Sequence, residues 1–380
     1  MWRIWHSNEY KNQRYKKFAF QNQLTTYLTY DILIVITISE SVFLVWGVDG
    51  LSTISDVAKL AGLSVSTVSR VINNQKYVKE DKRKAVLAAM KQLNYQPSVA
   101  ARQLRGQQAN IIGVIVPRIT NPFFSYLVDG LQKEAYKQGT QIMIFQSDED
   151  KEKELSFFKL LAQKQIDGII LCSGENEEEV LSFYAQYGPI ILHNKPPNKS
   201  EMPVINLDQE HGAYIGMKYL LDKGYRDIAY CTGGMFVANT RGEDRDKGYI
   251  KALNEYDLQL DLEKIFIDQH TIEDGKKLAR TFRKMDKLPE AIFTGSDEVA
   301  AGFITEAMKL GIKIPEDIAV LGFDNQILSE LTTPSITTIS QPIDELGKQT
   351  IELMFSLLDN RTYQLNYDKL QMKVVIRESA

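Results

Sequence analysis

The 380-residue sequence predicts a small all-α helix-turn-helix head followed by an α/β core of two doubly wound parallel-sheet subdomains. Three observations predict this. The stretch TISDVAKLAGLSVSTVSRVIN, residues 53–73, places apolar residues at helical spacing on either side of a glycine. Residues 51–105 hold ten Lys and Arg against three acids, a net of +7, whereas residues 106–380 hold 30 against 42, a net of −12. From Ile111 onward, apolar strand-like runs recur about every thirty residues with helical patterns between them. A basic head on an acidic body implies that the head meets a polyanion and the body does not.

Residues 1–50 fit neither unit. They begin polar and aromatic, then run apolar from Tyr27 to Val48, interrupted by Asp31, Ser39 and Glu40. That run is marginal for a membrane span, and no small-residue cleavage site follows a basic start. A membrane anchor is the lesser reading. The preferred expectation is an N-terminal extension that is disordered or not part of the native protein, with translation starting near Val48 or Leu51. A helix-turn-helix domain of this kind normally starts within a few residues of its first helix.

In the head, Ile54, Val57, Ala58 and Ala61 give a first helix one apolar face, with Thr53 as its cap and Asp56 as a capping-box partner. Gly62 permits the turn. Ser64 caps a second helix whose buried side is Val68, Val71 and Ile72. Val65, Ser66, Thr67, Ser69 and Arg70 are left on the outer face. Small polar residues and an arginine there suit DNA reading, although an ordinary helical hairpin would show the same periodicity. A third helix, 80–94, closes the core with Ala85, Val86, Ala89, Met90 and Leu93. Pro97 then opens a short helix ending at Gly106, too short to be stable alone.

In the core, the strand-like runs are 111–116, 141–146, 167–172, 189–193, 227–231, 290–295 and 317–322. Helical patterns cover 123–138, 151–165, 209–223, 246–256, 271–284 and 297–311. Strands apolar on both faces, alternating with helices, mean parallel sheets covered by helices. The pattern restarts near 206–209, hence two subdomains. Loops at the carboxyl ends of the strands then line a ligand cleft. Cys172 and Cys231 each end an apolar run, so they read as buried strand thiols rather than a disulfide, consistent with a reducing compartment. The four histidines form no metal-ligand spacing, and there is no Ser/His/acid set and no phosphate-cradling glycine loop. The expectation is a protein that is not an enzyme and has neither metal nor cofactor.

Together, the motifs TISDVAKLAGLSVSTVSRVIN, VLAAMKQLNYQPSVAARQLRG, IIGVIVPRITNPFF, RDKGY, TGSDEVAAG, AVLGFDN and TTISQP make the chain resemble the LacI/GalR family of bacterial transcription regulators. The resemblance runs from about Thr53 to the C-terminus. It implies a DNA-binding domain at 51–95, a hinge helix at 96–106 and an effector-binding, dimerising core at 107–380 like the type I periplasmic binding proteins. By the same analogy the N-subdomain is 110–206 with 342–361, and the C-subdomain is 207–341 with 362–380.

The resemblance also assigns roles. Val65 and Ser66 would face base edges in the major groove, with Arg70 reaching a guanine or a phosphate. Thr53, Ser64, Thr67, Ser69 and Asn73 would meet phosphates or support that contact. Ala101, Leu104 and Arg105 belong to the hinge helix, where the family's leucine wedges into the central minor groove. For the effector, Arg245 and Asp297 would face each other across the cleft, with Asn194, Phe123, Phe124, Phe323 and Asp324 as further candidates. His270 stands where several relatives carry an aromatic stacking ring. Gln341 falls at a crossover between subdomains. The expected partners are operator DNA, a small-molecule effector, most simply a sugar or sugar phosphate, and a second copy of the chain, with a tetramer left open. The protein would be cytoplasmic, with no membrane partner. A purine-type corepressor is the alternative within the family, and a solute-binding receptor with a vestigial head is the alternative outside it.

Overall fold

Helix formation in the head follows from local chemistry. The computed structural model describes residues 33–38, 41–46, 52–72, 75, 77–95, 108–193, 202–234, 236 and 243–380. They fall in two compact units, before and after residue 101. The first contains an antiparallel strand pair, β1 (Leu33–Ile38) and β2 (Ser41–Trp46), which the sequence did not lead us to expect. Three helices follow: α1 (Ile54–Ala61), α2 (Val65–Ile72) and α3 (Glu80–Gln92). Thr53 and Asp56 form the full capping box of α1, and the Asp56 carboxylate accepts from the Thr53 N–H at 2.8 Å. Gly62 ends α1 at φ +65°, in the left-handed region where a side chain is disfavoured. Val57, Ala58, Val68, Val71, Val86 and Ala89 are buried together, with Ile54, Ala61, Ile72, Met90 and Leu93 packed around them.

In the second unit, one sheet has the order β4-β3-β5-β6, all neighbours parallel. Its strands are β3 (Ile111–Val116), β4 (Gln141–Gln146), β5 (Gly168–Leu171) and β6 (Ile190–Leu192). The helices between them are α4 (Pro122–Lys137), α5 (Lys151–Ala162) and α6 (Glu178–Ala185). β4 is an edge strand with Met143 and Ile144 exposed, so the expected burial on both faces fails there, whereas β6 at the opposite edge is fully buried.

The other sheet has the order β12-β11-β10-β9-β7-β8, parallel except for β12. It is built from β7 (Ile228–Cys231), β8 (Ile265–Phe266), β9 (Ala291–Phe293), β10 (Ala319–Asp324), β11 (Thr337–Ser340) and β12 (Lys373–Val375). Its helices are α7 (Gln209–Asp222), α8 (Glu243–Glu255), α9 (Ile272–Phe282), α10 (Asp297–Lys309) and the short α11 (Leu328–Leu331). After β6, Val204 pairs with Leu192 before α7 begins. After β11 the chain enters α12 (Ile343–Leu358), which packs on α4 with Gly347 against Gly130, and it then rejoins the second sheet as β12. Cys172 and Cys231 are both fully buried free thiols. Among the described residues no helix is long and apolar enough to cross a membrane.

One buried base gives the core a pH dependence. His193, 4% exposed after β6, lies 3.2 Å from the Thr350 hydroxyl of α12. That hydroxyl donates to the Leu346 carbonyl, so His193 Nε2 carries the proton and donates. Burial pushes the imidazole pKa down to about 4. The unfolded chain therefore binds a proton that the folded chain refuses, and stability is lost as pH falls from the ordinary histidine range towards 4. Between pH 7 and 5 the expected loss is about 2 kcal/mol. Urea unfolding of His193→Gln at the two pH values should show that difference largely removed.

Candidate functional site

The head presents one candidate surface. Because Val68 and Val71 point inward, Val65, Ser66 and Arg70 emerge on the opposite side of α2, all exposed, while Thr67 and Ser69 are half-buried. The Ser64 hydroxyl accepts from the Thr67 N–H at 3.2 Å, which makes it the cap of α2. It also bonds the Ser66 and Thr67 hydroxyls at 2.9 and 2.8 Å. These hydroxyls satisfy one another at the helix start, and any of them can turn outward without leaving a buried polar group. Thr53 is exposed, but its hydroxyl serves the α1 cap. Asn73, Ala101, Leu104 and Arg105 lie outside the described residues.

The core site is built where the second sheet changes direction. β7 has β8 on one side and β9 on the other, so the loops after β7 and β9 diverge and leave a crevice at their carboxyl ends. Arg245 is in the first turn of α8, after the β7 loop, and Asp297 opens α10, after β9. The glycine of RDKGY has a packing role: a side chain at 248 would run into the Glu210 carbonyl of α7. This close approach brings Arg245 beside Gln209, the first residue of α7.

The half-buried Arg245 guanidinium lies 3.7 Å from the centroid of the Phe323 ring. It donates from Nε to Gln209 at 2.7 Å and from Nη1 to the Gly295 carbonyl at 2.9 Å. Asp324, at the end of β10, accepts from the Gln341 amide at 2.6 Å and the Gln326 amide at 3.0 Å. Burial holds its pKa above the usual carboxylate range, and Arg245 opposes that rise. The turn after it is strained, with φ +99° at Asp324 and +53° at Asn325.

Asp297 departs from the expectation of an open cleft wall. It is fully buried, accepting from the Gln326 N–H at 2.7 Å and the Thr338 hydroxyl at 2.6 Å. Its carboxylate thus anchors the strained 324–326 turn, and burial together with Asp324 pushes its pKa well up. Phe323 is likewise fully buried, and it supports Arg245 from below rather than lining open space. Phe123 and Phe124 start α4 as a half-buried edge-to-face pair, 5.3 Å between centroids, and Asn121 caps the helix by accepting from the Phe123 N–H. His270 is 39% exposed, bonds Asp268 at 3.2 Å and stands over Gly233 after β7. Asn194 lies outside the described residues.

Sequence reasoning missed Arg118, Gln209, Glu298, Gln326 and Thr338, and it assigned Gln341 to the crossover alone. Burial and Asp324 raise the pKa of Glu298, and the charge of Arg118, from the loop after β3, opposes that rise. A cavity of about 450 Å³ adjoins this cluster, lined by residues that include Tyr126 of α4, Asp324, Asn325 and Gln341. A concavity of similar size on α8, around Ile250 and Lys251, contains no candidate residue. Among the described residues no group of three or more His, Cys, Asp and Glu is placed to hold a metal ion.

Two known families match separate stretches of the chain. The family described as "Bacterial regulatory proteins, lacI family" matches residues 53–98, and "Periplasmic binding protein-like domain" matches residues 217–380. The NTD biosynthesis operon regulator NtdR of Bacillus subtilis is 40% identical over 328 residues, covering 86% of this chain and 99% of NtdR. The HTH-type transcriptional repressor PurR of Vibrio campbellii is 33% identical, over 87% of this chain and 98% of PurR. A LacI family transcriptional regulator from Lactobacillus casei, solved with bound sucrose, superposes with a TM-score of 0.67 at 29% identity, over 71% of this chain and 99% of that one. The same regulator has been solved with bound glucose.

Proposed function

The chain is a member of the LacI family of bacterial regulatory proteins, and on that premise we propose that it is a dimeric repressor whose grip on a palindromic operator is set by a sugar in the core cleft. Its relatives are transcriptional regulators, not enzymes. We assign the head to 51–95, the hinge to 96–106 and the core to 107–380, acting in the cytoplasm where the DNA is. In the head, Val65 and Ser66 read base edges, Arg70 reaches a guanine or a phosphate, and Thr67, Ser69 and Asn73 hold phosphates, with Thr53 and Ser64 supporting the contact from the two helix caps. In the hinge, Leu104 wedges the central base step of the operator, flanked by Ala101 and Arg105.

The observation that carries the ligand half is the Arg245 cluster. A guanidinium braced on an aromatic ring and surrounded by amides and carboxylates offers paired donors and acceptors, which neighbouring sugar hydroxyls match. The L. casei relative with sucrose or glucose bound supports the choice of ligand class. Thermal unfolding of the full chain with glucose, sucrose, cellobiose and hypoxanthine tests it. At about a hundred times its Kd, a cleft ligand adds ~2.7 kcal/mol to the folded state. A shift with one of the sugars supports the reading; a shift with hypoxanthine alone replaces the sugar by a purine.

A further inference from the structure

Two glutamines join the cleft to the places where the chain passes between its sheets. Arg245 Nε donates to Gln209 Oε1 at 2.7 Å, Gln209 Nε2 donates to Gln341 Oε1 at 2.9 Å, and Gln341 Nε2 donates to Asp324 Oδ1 at 2.6 Å. The orientation of both amides is dictated by the ends of this row. Arginine only donates and an ionised carboxylate only accepts, so each amide must turn its oxygen towards Arg245 and its nitrogen towards Asp324. Gln209 is the first residue of α7, just after the chain has left β6 and the Leu192–Val204 bridge of the first sheet. Gln341 stands between β11 of the second sheet and α12, the helix that packs on α4 beside the first sheet. It is 6% exposed, so its amide must be satisfied within the protein.

We propose that Gln209 and Gln341 are positioning residues that lock the direction of Arg245 to the joint between the two sheets, so that a ligand which moves Arg245 also moves α12 against α4. This rests on the reading of Arg245 as a cleft residue. The pair touches no ligand in this scheme; it sets the geometry of one that does and carries its displacement outward. A one-atom change separates the two duties. Gln209→Glu keeps an acceptor for Arg245 but loses the donor to Gln341.

Hydrogen–deuterium exchange on the full chain, without ligand, tests the joint. In Gln209→Glu, amides of 340–347 and of 126–131, where α4 meets Gly347, should exchange up to about tenfold faster, the protection that one hydrogen bond between neutral amides supplies. Amides of 243–247 should stay within twofold of wild type, by about the precision of the method. Gln209→Ala should loosen all three segments. Gln349→Ala is the control: that buried glutamine of α12 makes its hydrogen bonds to Glu345 and Asn366, and its loss should loosen only 345–349 and 364–368. Changes confined to 207–211 in both Gln209 variants, or the same spread from Gln349→Ala, would overturn the proposal. A duplex selected by the wild-type chain from a random library supplies the separate check on DNA binding. If no duplex is selected, the regulatory reading fails while the exchange data still decide the joint.

Discussion

Arg245→Ala should abolish the thermal shift produced by the cleft sugar and the sugar's effect on DNA affinity, while duplex binding keeps the wild-type salt dependence. The arginine provides the fixed guanidinium of the cleft, and nothing else in the cluster replaces it. Its removal also strands Asp324, whose carboxyl is buried and otherwise relies on Arg245 for an opposing charge. The cost stays below the about 3–5 kcal/mol of breaking a buried contact pair, because Asp324 keeps its bonds from Gln341 and Gln326 and can take up a proton. The sign follows from linkage. With the folded pKa of Asp324 raised further, stability is retained at acid pH and lost as pH rises through that value. The melting deficit of Arg245→Ala should therefore be smaller at pH 5 than at pH 8. Arg245→Lys should restore charge but not response, because an ammonium cannot reach Gln209 and the Gly295 carbonyl while stacking on Phe323.

Leu104→Ala should weaken binding to the selected operator about 10- to 100-fold while leaving binding to unrelated duplex within about twofold. Leu104 lies outside the described residues, and its role here follows from the family pattern of VAARQLRG. A wedge costs a few kcal/mol of unstacking and recovers it only when head and hinge contacts are both made. Non-specific binding, which depends on phosphate neutralisation, has no such step. The salt slope should thus stay at its wild-type value for Leu104→Ala. If Arg70 meets a phosphate, Arg70→Ala should reduce that slope by about one unit. Equal loss on operator and unrelated DNA in filter binding would remove Leu104 from the wedge.

The head was legible because its determinants are local. Thr53 and Asp56 lie within one turn, Gly62 marks the reversal, and Val68 with Val71 fixes which side of α2 faces out. The inner strands were legible from their apolar runs. Other elements were hidden by length or polarity: β8 has two residues, β11 reads TTIS, and β12 reads KVV. The edge position of β4 was invisible because strand order depends on contacts far apart in the chain. The cleft was half legible. Arg245, Phe323 and Asp324 do converge, but the polar residues that complete the cluster come from α7, the loop after β10 and the link between β11 and α12. Gln209, Gln326 and Gln341 carry no charge pattern or motif that periodicity could detect. Only topology brings them together. For the same reason the burial of Asp297 could not be read from GSDEVA, since its partners Gln326 and Thr338 follow it by 29 and 41 positions.

In the proposed regulator, ligand occupancy in the core cleft and DNA occupancy in the head are coupled through one chain. Fluorescence anisotropy of the selected duplex, titrated with the full chain with and without the sugar that shifts its melting temperature, measures that coupling. The expected affinity is salt-sensitive, and the sugar changes it by at least about fivefold, the lower end of ordinary allosteric coupling. A chain that binds the sugar but no duplex, or one that holds the duplex with the same affinity at every sugar concentration, would contradict it.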